Sequence, residues 1–414
     1  MPERGPVPHH LAIFQYGDLR AACARFDAGG DETYLDQRRA VAFLRDLARR
    51  QPVTVVSVSD DPHDEVIEGD LRSVGAAARE VFSPGFAARQ LARLRPDIAI
   101  AALPEPDLIG ALCRAGLPVF ACFADVMRPV RPSELTSRDG LRRLRRNARL
   151  RRLLAGPSIT AIGNHSLSAS RSLHRVLGLD PARIVPWEWS RLEAQPEPKA
   201  PRANHGPMRV FFAGTLMRAK GVGDLLEAMA ILGRAGKAWQ AEIAGNGPDR
   251  PALEARARAL DLDGRVTFLG TIPHDEVRAR MRAADAVAVP SHHDYAEGLP
   301  NVIFEALAAR TPLILSDHPA YADRLREGDG ALVIPQRDPA ALAAALTRLQ
   351  AQPELAARLS GNAAATLDRL YVGMSWYDAV SAFVADPGDR TGWVARNSLA
   401  RLEERLAPPG ATGG

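Results

Sequence analysis

Ala286-Val-Ala-Val-Pro-Ser-His-His-Asp-Tyr-Ala-Glu-Gly-Leu-Pro-Asn-Val-Ile-Phe-Glu-Ala-Leu307 reads as a strand, a polar loop and a helix in succession. Its first four residues are a short apolar run of the kind that fills a fully buried strand, ending near Pro290. Pro300 suits the first turn of a helix, where its missing N–H costs nothing, so the spacing predicts a helix N-terminus near Leu299. Free amides and the positive end of the dipole make such a terminus a site for phosphate or carboxylate. In an open α/β sheet, the loops at the carboxyl ends of the strands are also where ligands bind. Glu297 precedes the helix and Glu305 falls in its second turn, so two carboxylates bracket the anion site at different distances. Carboxylates accept hydrogen bonds from paired hydroxyls such as those of ribose or hexose.

The same alternation extends to both sides. Strands are predicted at Arg209–Ala213, Gln240–Ala244, Val266–Leu269, Ala286–Val289, Pro312–Leu315 and Ala331–Ile334. Helices are predicted between and after them at about 222–235, 249–260, 274–283, 301–309, 319–327 and 338–350. Six strand–helix units make a doubly wound domain, placed at 205–370 with a further helix at about 353–369. An earlier series runs through Leu11–Phe14, a helix at about 31–49, Val53–Val58, Asp97–Ala102, Pro118–Phe123 and a last strand Ile159–Ile162. It is expected to form a second Rossmann-like domain over 1–195. Glu193 to Pro207 holds four prolines and no large apolar residue, and reads as a linker.

Composition is that of an ordinary globular chain: 414 residues, 46% apolar and 25% charged, with a net charge of +4. Attraction to anions must therefore come from local clustering. Cys23, Cys113 and Cys122 lie in apolar stretches and are expected as core residues in a reducing compartment. Neither a signal segment nor a membrane-spanning run is read, and no metal site is expected: Asp261-Leu-Asp263 falls in a turn before Gly264 and reads as structural. Leu141 to Leu154 carries seven arginines around a leucine stripe. Two readings stay open for it, a helix lying on anionic lipid and a surface helix whose leucines face the core. Aromatic residues are not interleaved with the basic ones, so no nucleic-acid partner is expected.

A second anion site is suggested by Gly214-Thr-Leu-Met-Arg218-Ala-Lys220-Gly-Val-Gly223, where a strand feeds a glycine turn, two cations follow and another glycine opens a helix. That arrangement suits a diphosphate. It is neither the dinucleotide fingerprint nor the P-loop.

Together these residues resemble the GT-B glycosyltransferases, specifically the retaining family-4 group, over nearly all of 208–370. The resemblance rests on Glu297-x7-Glu305 within its strand–loop–helix setting, Thr311-Pro-Leu-Ile-Leu-Ser-Asp317, Gly214 with Lys220-Gly221, Ala244-Gly-Asn-Gly-Pro248 and Phe268-Leu-Gly-Thr-Ile-Pro273. It implies an α/β GT-B fold, two doubly wound domains with a cleft between them, the first completed by helices at about 371–405. The implied reaction is transfer of a sugar from a nucleotide-sugar donor, UDP- or GDP-linked, to a glycan, lipid-linked or small-molecule acceptor with retention, and with neither cofactor nor metal. By the same resemblance Glu297 holds donor-sugar hydroxyls, Glu305 the ribose, Lys220 the diphosphate and the backbone around Gly298, Leu299, Pro300 and Asn301 the sugar or its phosphate. Thr271 and Ile272 border the base. Many members place Arg after the first glycine, where this chain has Thr215, so Arg218 is the candidate replacement. Asp27-Ala-Gly29-Gly30 looks like the family's glycine loop before the first helix, brought against the donor when the domains close. Ala124 stands where many members carry His, leaving Asp125 as the acceptor-side candidate, with Asn164-His165 in a neighbouring loop. The expected location is cytoplasmic, at the inner face of the cell membrane if the arginine-rich helix meets lipid. A nucleotide-sugar epimerase of the same architecture and a non-catalytic donor-binding subunit are the alternatives.

Overall fold

The computed structural model describes residues 9–195, 197–200, 206–295, 298–322 and 324–407. The chain divides into two compact units, one of residues 1–30, 36–190 and 372–414, the other of 31–35 and 191–371.

The first unit holds eight strands: β1 (Leu11–Gln15), β2 (Val53–Val58), β3 (His63–Glu68), β4 (Leu71–Ala76), β5 (Ile98–Ala101), β6 (Val119–Phe123), β7 (Ile159–His165) and β8 (Ile184–Trp187). Their order is β3-β4-β2-β1-β5-β6-β7-β8, parallel throughout except at the β3/β4 hairpin. Strand alternation feeds two apolar layers. Ala12, Phe14, Val56, Ala99 and Ala101 join one, and Leu11, Ile13, Val55, Ile98 and Ile100 the other. The helices Trp376–Ala385 and Trp393–Arg396 cover the second layer, and Leu399 and Leu402 of the last helix enter the first. Cys23 and Cys122 are buried and Cys113 half-buried; burial pushes the Cys122 thiol pKa well up.

Several expectations fail here. The helix expected at 31–49 spans Gln37–Ala48, because Asp36 sits in the left-handed region (φ +70°) and its carboxylate accepts the Ser190 N–H at 2.6 Å. An unforeseen helix, Leu19–Asp27, precedes it, so Gly29 and Gly30 follow the first helix instead of opening it. The β3/β4 hairpin escapes detection because β3 is an exposed polar edge strand without an apolar face. Strand β7 runs three residues further than expected, through Asn164 and His165, which are buried in the sheet and not in a loop. Strand β8 is additional. In the arginine-rich helix Arg138–Leu154, Leu150 and Leu154 are buried, whereas Leu141 and Leu144 are exposed. Arg143, Arg146 and Arg149 pair with Glu134, Glu105 and Asp107.

The second unit has six parallel strands, β9 (Met208–Ala213), β10 (Trp239–Ala244), β11 (Val266–Gly270), β12 (Ala286–Val289), β13 (Leu313–Ser316) and β14 (Ala331–Ile334), in the order β11-β10-β9-β12-β13-β14. Val210, Phe212, Ile243, Ala288 and Ile314 pack beneath the helices Val222–Arg234 and Pro339–Ala351. The helix expected at 319–327 is absent, its described residues forming turns. Tyr321 is drawn into the core, its hydroxyl 3.0 Å from Ser316 Oγ, and His318 Nδ1 accepts the Ala320 N–H. The proline-rich segment is not a free spacer. The Gln195 N–H reaches the Ala308 carbonyl at 2.8 Å and the Lys199 N–H reaches Ser360 Oγ at 2.7 Å.

Among the described residues no helix is long and apolar enough to cross a membrane.

Candidate functional site

The six-stranded sheet changes direction between β9 and β12: from β9 the chain winds outward to β10 and β11, then returns to lay β12 on the other side. The two connections leave in opposite directions and open a crevice at the strands' carboxyl ends. A cavity of about 480 Å³ occupies it, within the size range of small-molecule sites.

Glycines let three loops converge there. Gly221 has φ +74°, and a Cβ on it would lie 2.0 Å from the Pro290 carbonyl oxygen, so the turn after β9 presses against the end of β12. Gly245 (φ +126°) brings the loop after β10 so close to Gly214 that a Cβ would stand 1.9 Å from its oxygen. These approaches set Gly214, Thr215 and Lys220 into the cavity wall with Gly245 and Asn246. The Lys220 ammonium rests 4.5 Å from the centre of the Tyr295 ring, which keeps a cation at the wall. Asp224, in the first turn of Val222–Arg234, is tied to His292 Nε2 at 2.7 Å, and the His292 N–H reaches the Ala219 carbonyl at 2.8 Å. The Lys220 turn is thereby stitched to the loop after β12.

Arg218 departs from expectation. It is not among the residues lining the cavity, and its backbone N–H is held by Asp249 Oδ2 at 2.5 Å. Thr215 lines the wall itself.

Thr271 and Ile272, after β11, line the cavity. The helix after β12 starts at Asn301, where the predicted range of 301–309 begins, with Pro300 as the extended cap residue. Pro300, Asn301 and Glu305 line the wall, whereas Leu299 is buried behind it. Gly298 is buried too, and Glu297 lies outside the described residues.

Glu305, 7% exposed, is hydrogen-bonded through Oε1 to Nε2 of His274. His274 opens the helix His274–Ala283, its N–H bound to the Glu32 carbonyl at 2.9 Å and its Nδ1 3.8 Å from the Glu32 carboxylate. Burial pushes the His274 pKa down, but the hydrogen bond and charge of Glu305, with the charge of Glu32, outweigh it and leave the pKa above its ordinary 6.5. A lone His thirty-one residues before Glu305 carries no spacing signal, and sequence reasoning missed it. Tyr295, Asn246 and the segment Thr33–Leu35 were missed as well.

The remaining candidates belong to the first unit. Gly29 has φ +76°, and the Gly30 N–H bonds the Arg25 carbonyl at 2.8 Å, so both close the helix Leu19–Asp27. Asp125 is exposed beyond β6, its carbonyl accepting from Asn164 Nδ2 at 3.1 Å. His165 is a buried partner of Glu188, 2.8 Å away.

With this geometry in place, comparison with known proteins is decisive for the second unit: the family described as Glycosyl transferases group 1 matches residues 194–366. The match covers about two fifths of the chain and lies within the second unit. The alpha-D-kanosaminyltransferase of Streptomyces kanamyceticus is 35% identical over 155 residues, 37% of this chain and 39% of that protein. The chain spans about two fifths of the length of the curated relatives it matches. Likeness of fold extends further than this match. Sucrose-phosphate synthase from Thermosynechococcus elongatus superposes with a TM-score of 0.65 at 17% identity, covering 96% of this chain and 99% of that one. HepE of Anabaena, solved with UDP-glucose, does so with 0.62 at 13% identity, covering 91% and 98%. The fold is α/β with two Rossmann-like sheets, as in the GT-B glycosyltransferases.

Proposed function

We propose that the protein is a glycosyltransferase that moves a sugar from a nucleotide-sugar donor to an acceptor with retention of anomeric configuration. The observation that carries this reading is the switch-point cavity of the second unit, where a cation, the amino end of a helix and a carboxylate line one space. Lys220 and the helix amides at Asn301 neutralise the diphosphate as it leaves. Glu305 takes the ribose hydroxyls, and His274 fixes which carboxylate oxygen faces them. Thr271 and Ile272 border the base. Glu297, with the backbone of Gly298 to Asn301, holds the donor sugar. The bond from the anomeric carbon to the diphosphate oxygen breaks while the acceptor oxygen bonds to the same carbon on the same face, and the acceptor's proton passes to the leaving phosphate. On this reading the acceptor lies with the first unit, near Asp125 and the Gly29-Gly30 turn. Structures of HepE contain UDP and UDP-glucose, which supports a uridine nucleotide as the first donor to try.

A thermal-shift panel of UDP-, GDP- and ADP-sugars tests the reading, because a ligand that binds only the folded state raises its stability by RT ln(1 + [L]/Kd). One nucleotide series is expected to shift the midpoint, and its sugar form to release nucleoside diphosphate when acceptor is added. No shift with any nucleotide would sink it. Ala124, in place of an imidazole, favours a second reading as a donor-binding subunit without turnover, for which nucleotide binds but no sugar leaves.

A further inference from the structure

The first unit has a switch point of its own. From β1 the chain winds to β2 and β4 on one side, then returns to β5 on the other. A cavity of about 360 Å³ starts there and runs along the helix Pro106–Ala115. Its floor is apolar, built from Phe14, Phe86, Leu103 and Leu108, and Phe82 stands 44% exposed at its edge. Its other wall is cationic: Arg114 and three arginines of Arg138–Leu154, namely Arg145, Arg146 and Arg149. Two of these four are already matched, Arg146 with Glu105 at 3.1 Å and Arg149 with Asp107 at 2.6 Å. Arg114 and Arg145 form no ion pair among the described residues, so the lining keeps an excess of positive charge. Arg114 Nη1 and Arg149 Nη2 both lie within 4 Å of the point where a Cβ on Gly110 would stand, so two guanidinium groups of the lining converge on one point beside the helix.

An apolar floor alone would take any hydrocarbon, and arginines alone any anion. Here both line one cavity placed where doubly wound sheets bind ligands. We propose that this cavity binds an apolar body carrying an anionic phosphate, the hydrocarbon on the phenylalanine and leucine floor and the phosphate between Arg114, Arg149 and Arg145. Guanidinium groups suit phosphate because they present paired N–H donors and are cheaper to desolvate than ammonium. The inference rests on the glycosyltransferase reading only in making this molecule the acceptor, which is then a lipid-linked or other amphiphilic phosphate.

Octyl phosphate, below its micellar concentration, is the probe, with 1-octanol and inorganic phosphate as its two halves, each titrated calorimetrically into the full chain. Octyl phosphate is expected to bind about tenfold or more tighter than either half. Ala88→Trp, at an exposed position in the cavity wall, fills the space, and Arg114→Gln with Arg145→Gln removes the unmatched charge. Each is expected to weaken octyl phosphate by about tenfold while leaving the nucleotide-induced thermal shift unchanged. Equal binding of phosphate alone, or binding unaffected by both variants, would overturn the proposal. Phosphatidylcholine vesicles doped with phosphatidic acid separate a cavity ligand from a charged surface. Loss of binding in Ala88→Trp supports the cavity, and retention assigns the arginines to the membrane and overturns it. Octyl phosphate bound by a chain that no nucleotide stabilises would keep the cavity and discard the transferase reading.

Discussion

Lys220 reaches the cavity only because the residue after it is glycine and the ring beneath it is Tyr295. Lys220→Ala is expected to weaken nucleoside diphosphate binding by about 1.5–3 kcal/mol, the range for hydrogen bonds to charged groups, with unchanged thermal stability of the free protein. Calorimetry with UDP or GDP checks it, and equal affinity would place the diphosphate elsewhere. Arg218→Ala, by contrast, is expected to leave that affinity within error. His274 makes a pH prediction. Its pKa is raised in the folded chain, so its pairing with Glu305 stabilises the fold fully below the unfolded value of 6.5 and fades as pH rises through the higher folded value. The midpoint gap between the wild type and His274→Gln is therefore expected to be widest on the acid side of 6.5 and to narrow in alkaline buffer. A gap that is flat with pH, or that widens upward, would show that the pair is held as neutral imidazole.

At the scale of elements, the turn between β9 and Val222–Arg234 concentrates the argument. Gly221→Ala combines a left-handed backbone with a Cβ driven into the Pro290 carbonyl, a cost of about 1–3 kcal/mol of stability for the strained conformation alone. It is expected to lower diphosphate affinity as well, because the turn that carries Lys220 must shift. Gly223→Ala is the control two residues on: nothing lies within 4 Å of its Cβ, and the site is in a helix, so a neutral result or a gain of up to about 1 kcal/mol is expected. If both variants behaved alike in denaturant titrations, the close approach would not matter. The contrast also shows what can be read from one sequence. Strands β9 to β14 were legible because each is a short run rich in apolar residues, with β12 and β13 buried throughout, and Lys220 and Glu305 were singled out by the turn and helix that follow β9 and β12 together with the family resemblance. The His274–Glu305 pair was not, since two side chains that meet only through packing leave no period in the chain. Arg218 was a candidate by composition: the three-residue turn Arg218–Lys220 brings Lys220 and not Arg218 to the cavity lining, and no composition rule says which of the two cations enters it.

At the scale of the molecule, the chain crosses between its units more than once, and its last helices return to the first. Trp376, Val380, Phe383, Trp393 and Val394 lie in one apolar layer of that unit and Leu399 and Leu402 in the other. Fully burying a large apolar side chain contributes about 1.5–3 kcal/mol, so together these seven contribute about 10–20 kcal/mol, comparable to the whole stability of an ordinary domain, about 5–15 kcal/mol. A chain ended after Tyr371 is therefore expected to lose the cooperative unfolding of the first unit. The second unit keeps its apolar core and its cavity, including the segment 31–35 that joins it from early in the sequence. In scanning calorimetry, a transition sensitive to nucleoside diphosphate is expected to survive in the shortened chain, while the nucleotide-insensitive transition disappears. Loss of the nucleotide-sensitive transition together with the other would show that the second unit cannot stand without the first. Retention of both would show that the carboxyl-terminal helices cover a sheet already stable without them.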